Sequence, residues 1–203
     1  MTALWAKTNI WILTLAGVAV AMYLILAWGE MPAGQKALGF FVIGIVLHEW
    51  EEMRFPGGFY ELMTKKFGIE GYTEEQAGLS HGAVVIAIMF FAFVPFLFWK
   101  QAPWLAGIPA ILGFFEALIH IVGIKIHHLP RPYTPGMVTA LLCLLPSAIA
   151  IVMYATPGIG AGGWGLAVLC YFAIFGCMEV LVWRAFGVDP RTLPKRIRGI
   201  IGK

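Results

Sequence analysis

Charge is what this chain has least of. Only 12% of its 203 residues are Asp, Glu, Lys or Arg, against a 60% apolar share and a mean hydropathy of +0.83. Soluble globular domains carry about 25% charged residues, so this composition excludes that class and points to a polytopic membrane protein. No hydrophilic block is long enough for a separate soluble domain, and residues 1–203 are expected to form a single transmembrane domain. Cysteine is also scarce. Cys143, Cys170 and Cys177 lie in apolar runs without CxxC spacing, which excludes a disulfide framework and a thiolate metal site. The formal charge of +3 is concentrated in the last residues, beside a membrane, and so implies no nucleic-acid partner. No small-residue cleavage site follows Lys7 and the first apolar run, so that run is expected to be a retained span. Internal repeats and low-complexity segments are absent as well.

Six apolar runs are present, at residues 10–28, 37–54, 78–99, 104–126, 136–154 and 165–183. Each approaches the roughly 20 residues that a helix needs to cross a hydrocarbon core. The expected fold is therefore an all-α, polytopic membrane helix bundle of about six transmembrane helices. Trp99, Trp104, Tyr154, Trp164 and Trp183 lie near run ends, where aromatic residues favour the interface. With both termini cytoplasmic, 12 of the 14 Lys and Arg residues fall inside, and only Lys36 and Lys100 fall outside. That bias follows the positive-inside rule. It predicts a bacterial inner (cytoplasmic) membrane location, with a basic cytoplasmic tail at about residues 187–203 that lies against anionic headgroups. Residues 55–77 form the one long connection; within it, residues 61–67 are either a short amphipathic surface helix or part of a solvated linker.

The second run ends in Leu47-His48-Glu49-Trp50-Glu51-Glu52-Met53-Arg54, which sets ionisable groups into an apolar span. At helical spacing His48, Glu51 and Glu52 share one face, whereas Glu49 points about a quarter-turn away. Glu116 and His120 stand at i, i+4 on the fourth run and share a face of their own. Counted at 1.5 Å per residue, His48, His81, His120 and Glu179 all lie within roughly 5 to 10 Å of the cytoplasmic boundary, with Glu116 one turn deeper. Each intramembrane charge costs roughly 2.5 to 3.5 kcal/mol on insertion scales. No basic residue stands at the depth of Glu51, Glu52 and Glu116, so a bound cation or shared protons must relieve the cluster. For His81 the alternatives are a ligand or a helix-start residue; for Glu179 they are a ligand or a snorkelling interfacial carboxylate.

Mixed carboxylate and imidazole ligands suit Fe, Mn or Zn, and the absence of thiolates argues against Cu(I). His48, Glu51, Glu116 and His120 are the expected direct ligands, and Glu52 is a ligand or general base. His81 and Glu179 are further ligands, and the set accommodates one or two ions. Arg54 and Arg131 are expected to hold an anionic headgroup or substrate at the mouth of the site. Three known site patterns do not match. A zincin needs His where Glu52 stands; the membrane glutamate proteases need Arg where Pro56 stands; and five histidines are too few for the His boxes of membrane desaturases.

His48-x-x-Glu51-Glu52 followed by Phe55-Pro56-Gly57-Gly58 resembles the HXXEE-motif family of small bacterial integral membrane proteins. The similarity continues through Glu116 to His120, Pro132-Tyr133-Thr134-Pro135-Gly136-Met137-Val138-Thr139-Ala140 and Pro146. The resemblance implies a functional role for His48, Glu51 and Glu52 and names no substrate. On the residues themselves, Pro130, Pro132 and Pro135 read as a stiff turn carrying His127, His128 and Arg131 along the rim. Three functions follow from the cluster. The first is a membrane metalloenzyme, hydrolase or oxidase, acting on a lipid or other hydrophobic small molecule. The second is a cation or proton-coupled transporter using the same carboxylates, and the third a non-catalytic membrane subunit. An oligomer or a partner subunit completing the site is compatible with each.

Overall fold

The computed structural model of the chain describes residues 2–69 and 71–193. The part of the expected basic tail from residue 194 onward lies outside the described residues. Among the described residues there are seven helices and no strand: α1 (Thr2–Leu26), α2 (Ala33–Met53), α3 (Phe59–Lys66), α4 (Glu74–Phe98), α5 (Pro103–Ile126), α6 (Met137–Tyr154) and α7 (Ala161–Ala185). Five of them, α1, α4, α5, α6 and α7, are long and apolar enough to cross a membrane. With 21 residues, α2 is about 31 Å long and thus also spans by length, but Lys36, Glu49, Glu51 and Glu52 lower its apolarity. The fold is the all-helical membrane bundle that the composition predicts.

Several helices begin before their apolar runs, because polar residues start a helix as well as apolar ones do. α4 begins at Glu74 because Thr73 and Gln76 form a reciprocal capping box. Glu74 and Glu75 in its first turn complement the helix dipole. In the connection after α2, the amphipathic-helix alternative holds: α3 has Glu61 in its first turn and Lys65 and Lys66 in its last.

The spanning helices close into a ring in which α2 packs on α1 and α6, α5 on α6 and α7, and α4 on α7 and α1. The second half of α4 crosses the interior to touch α2 and α5, which buries Phe91 and Phe96. That half contains a π-helical turn at Met89–Phe93, and α6 contains another at Ala140–Leu144. Pro95 and Pro146 follow two residues after each turn. A proline has no N–H to give and its ring clashes with the carbonyl four residues back, so the wider turn relieves both problems. Close helix crossings rest on small residues, as is usual in membranes. A Cβ on Gly113 of α5 would stand 2.7 Å from Ala148 Cβ and 2.9 Å from the Leu144 carbonyl of α6. Apolar side chains such as Leu26, Leu142 and Leu169 point outward, 82%, 72% and 67% exposed, as lipid-facing residues do.

The ring brings the end of α2, the start of α4, the end of α5 and the start of α6 to one end of the bundle. A small second apolar cluster around Tyr60, Trp183 and Phe186 closes that end beneath α3. The Lys66 ammonium donates to the Ile126 carbonyl at 2.7 Å and so ties α3 to the last turn of α5.

Candidate metal centre

Four side chains from two helices meet inside the ring. His48 Nε2 lies 3.5 Å from Glu52 Oε1 and 3.7 Å from Glu116 Oε2. His120 Nε2 lies 3.4 Å from the same Glu52 oxygen and 3.6 Å from the same Glu116 oxygen. Each helix contributes one i, i+4 pair, and α2 and α5 face each other so that the pairs interlock. The histidines are 2% and 3% exposed, and Glu116, with its side chain 18% exposed, is the most open of the four.

These separations exceed the 2.7–3.2 Å of a good N–H···O hydrogen bond. They come close to the ligand–ligand edges of a tetrahedral site: bonds of about 2.0–2.1 Å give edges of about 3.3–3.4 Å. The buried His120 Nε2 has no hydrogen-bond partner. One ligand atom each from His48, Glu116 and His120 falls within 4.8 Å of the others, a grouping able to hold a metal ion.

The far sides of both imidazoles are fixed by the segment that opens α6. His48 Nδ1–H donates to the Gly136 carbonyl at 3.0 Å, with Thr139 Oγ1 at 3.1 Å. His120 Nδ1–H donates to Thr134 Oγ1 at 2.9 Å, whose own hydrogen goes to the His120 carbonyl at 3.2 Å. With the proton on Nδ1, each ring presents an Nε2 lone pair to the centre, the tautomer that a metal ligand requires. Gly136 is at φ +91°, where L side chains rarely go. A Cβ there would come within 2.7 Å of Glu52 Cγ, His120 Cε1 and His48 Cε1. The backbone at Gly136 is therefore a wall of the site.

The other expected site residues take different places. Glu51 is turned away from the four. Its Oε1 accepts from the Tyr133 hydroxyl at 3.0 Å and the Val138 N–H at 3.1 Å, and its Oε2 accepts from the Thr139 N–H at 2.7 Å and hydroxyl at 2.6 Å. It thus caps the N-terminus of α6, whose free N–H groups and dipole favour a carboxylate. Burial and then the Glu51 hydrogen bond raise the pKa of the Tyr133 phenol, which keeps it a donor. His81 belongs to a second cluster: Nδ1–H donates to Asn9 Oδ1 at 2.6 Å, and Nε2 shares a proton with Glu49 Oε2 at 3.0 Å. Asn9 Nδ2 donates in turn to the Gly78 carbonyl at 2.8 Å. Glu179 accepts from the Trp183 indole of its own helix at 2.7 Å. Arg54 and Arg131 are exposed on the rim. His127 is also on the rim, with a pKa lowered by burial and then by Lys66.

Thr134, Gly136 and Thr139 are the residues that the sequence reading does not pick out for the site. The segment resemblance covered all three, yet its prolines read only as a stiff turn. What reveals them is which groups the backbone offers once α6 docks on α2.

Neither the curated proteins nor the solved structures contain a match to this chain. The profile of the family described as "Protein of unknown function with HXXEE motif" matches residues 39–151, more than half of the chain and all four converging side chains. The chain belongs to this family.

Proposed function

We propose that this protein is an integral membrane, metal-dependent hydrolase acting on a lipid or other hydrophobic small molecule. In this reading His48, Glu116 and His120 hold one divalent ion and Glu52 is the general base. The observation that carries it is the convergence of two Nε2 lone pairs and two carboxylates at 3.4–3.7 Å, with the buried His120 Nε2 otherwise unpartnered. Two imidazoles and a carboxylate, with a second carboxylate beside them, is a donor set used by zinc hydrolases. A divalent ion in it acts as a Lewis acid and brings the pKa of a coordinated water near 7. Fe and Mn suit the same donors, and iron there would serve oxidation. The position of Glu52 favours hydrolysis, since its Oε1 is equidistant from both imidazoles and free to take a proton next to the centre. Glu51 then acts through Thr139, whose hydroxyl donates to the carboxylate while receiving part of the His48 Nδ1–H.

The substrate class follows from the surroundings, because the centre lies within helices whose outer faces are apolar. Of the ten described Lys and Arg residues, only Lys36 and Lys100 are at the end of the bundle opposite the centre. That asymmetry supports a cytoplasmic placement of the centre.

The test is metal content by elemental analysis on the protein purified in detergent, alongside the Glu116→Gln, His120→Ala double variant and Glu52→Gln. The expected result is about one equivalent of Zn, Fe or Mn per chain in the parent, none in the double variant, and metal retained in Glu52→Gln. With p-nitrophenyl laurate as probe, Glu52→Gln is expected to lower kcat by about a hundredfold or more. Metal-free parent protein after supplementation with all three metals would end the reading.

A further inference from the structure

A groove of about 360 Å³ runs along the outer crease between α2 and α6, which pack antiparallel. Its floor is made of small residues: Ala37 and Gly44 of α2 and Ser147 of α6 are buried. Its edges are large, with Phe40, Leu47 and Leu142 standing 49%, 48% and 72% exposed. Gly44 lets the two helices come this close, since a Cβ there would stand 3.2 Å from Cys143 Cβ and 3.3 Å from Leu144 Cδ2. The lining is almost wholly apolar, so the groove holds neither water nor a headgroup along its length.

Its dimensions decide the occupant. From Ala37 to Leu47 the groove follows about 15 Å of helix, which is half of a hydrocarbon core of roughly 30 Å and thus the depth of one leaflet. Spread over that length, the volume gives a mean cross-section of about 24 Å², far below that of a helix about 10–12 Å across. A single alkyl chain fits, and a helix from a second copy does not. The two ends differ. One turn beyond Leu47 and Cys143 the crease is closed by Glu51, which accepts from the Thr139 N–H at 2.7 Å and hydroxyl at 2.6 Å. Arg54 continues the row of Phe40 and Leu47 at seven-residue intervals, about 10 Å past Leu47 at the end of the span. It is exposed, and among the described residues no carboxylate pairs with it. A guanidinium above an alkyl groove is placed for a lipid phosphate.

We propose that the α2–α6 groove binds one anionic phospholipid of the bilayer, with an acyl chain laid over Gly44 and Ser147 and the phosphate at Arg54. The site goes beyond the hydrolase reading and needs no metal. Thr139, at the closed end of the groove, meets the Nδ1 side of His48, whose Nε2 faces the centre. The bound lipid is therefore a resident set against the outer support of His48, and not the substrate.

Native mass spectrometry tests it, on the full chain released from nanodiscs of equal parts phosphatidylglycerol and phosphatidylcholine. One lipid is expected to stay on each chain, phosphatidylglycerol about fivefold over phosphatidylcholine, the preference that one surface arginine confers. Cys143→Phe and Ala150→Phe fill the groove from partly exposed positions near its two ends. Each is expected to abolish retention, with the melting temperature reporting that the variant folds. Arg54→Gln is expected to keep a lipid and equalise the two headgroups. His120→Ala is expected to retain lipid as the parent does, which separates this inference from the metal reading. No retained lipid, equal retention of the two lipids by the parent, retention unchanged in both Phe variants, or a preference that survives Arg54→Gln would each overturn the proposal. A dimer that the Phe variants split would overturn it too, by giving the groove to a second copy.

Discussion

α2 carries an imidazole–carboxylate cluster on each of two faces, built from the same residue types and arranged in opposite ways. On one face, His81, Glu49 and Asn9 are joined at 2.6–3.0 Å, and both ring nitrogens of His81 are satisfied. On the other, two imidazoles and two carboxylates stand 3.4–3.7 Å apart, and one buried nitrogen has no partner. The first cluster is closed: it ties α1, α2 and α4 together and leaves neither imidazole nitrogen over. The second is held open by the α6 segment, which takes the Nδ1 protons and keeps the rings from turning onto the carboxylates. Residue type therefore does not distinguish a polar joint from a binding centre; the separation and the outer partners do.

The comparison can be broken most severely by exchanging which cluster is damaged. His120→Ala is expected to abolish metal binding, at least about a hundredfold in affinity, while leaving the Asn9–His81–Glu49 cluster intact; metal analysis and a chelator-dependent melting curve read this. His81→Ala is expected to do the reverse. Breaking a buried pair costs about 3–5 kcal/mol, so the melting temperature falls while metal stoichiometry per folded chain is unchanged. A loss of metal in His81→Ala would show that the two clusters are one.

Smaller changes sharpen the contrast. Thr134→Val and Thr139→Val each remove a hydroxyl that holds an imidazole, and such outer partners are worth about 10–100-fold in metal affinity. Competition titration against a chromophoric chelator measures it. Glu51→Gln is expected to have the least effect on metal, and to lower stability by about 1 kcal/mol through a weaker cap on α6. If it emptied the centre as His120→Ala does, Glu51 would be a ligand after all.

Much of the fold was legible because apolar length and the asymmetry of Lys and Arg are one-dimensional signals. The two i, i+4 pairs, His48 with Glu52 and Glu116 with His120, were legible for the same reason. What was not legible depends on neighbours brought in from elsewhere in the chain. Glu51 and Glu52 both fall on the His48 face, and only the docking of α6 draws Glu51 to its N-terminus. Glu49 points off that face, and the sequence gives no sign that His81 waits there on α4. Glu179 has Trp183 four residues on, a local partner that its spacing did offer. Gly136 reads as a turn residue until three side chains are seen to stand where its Cβ would be.

The acidic end of α2 also bears on how the bundle is held together. α1 is apolar enough to insert by itself, and α2 is not. The connection between them, residues 27–32, is short and holds α2 against α1. The two form an antiparallel helical hairpin, with Trp50 on α2 donating to Thr14 on α1 at 2.8 Å. Glu49 and Glu51 take their partners from α4 and α6, and Glu52, which already faces His48 on its own helix, also faces His120 on α5. The acidic end of α2 is thus completed by helices that follow it in the chain, and its polar groups are neutralised by tertiary packing rather than within the helix itself.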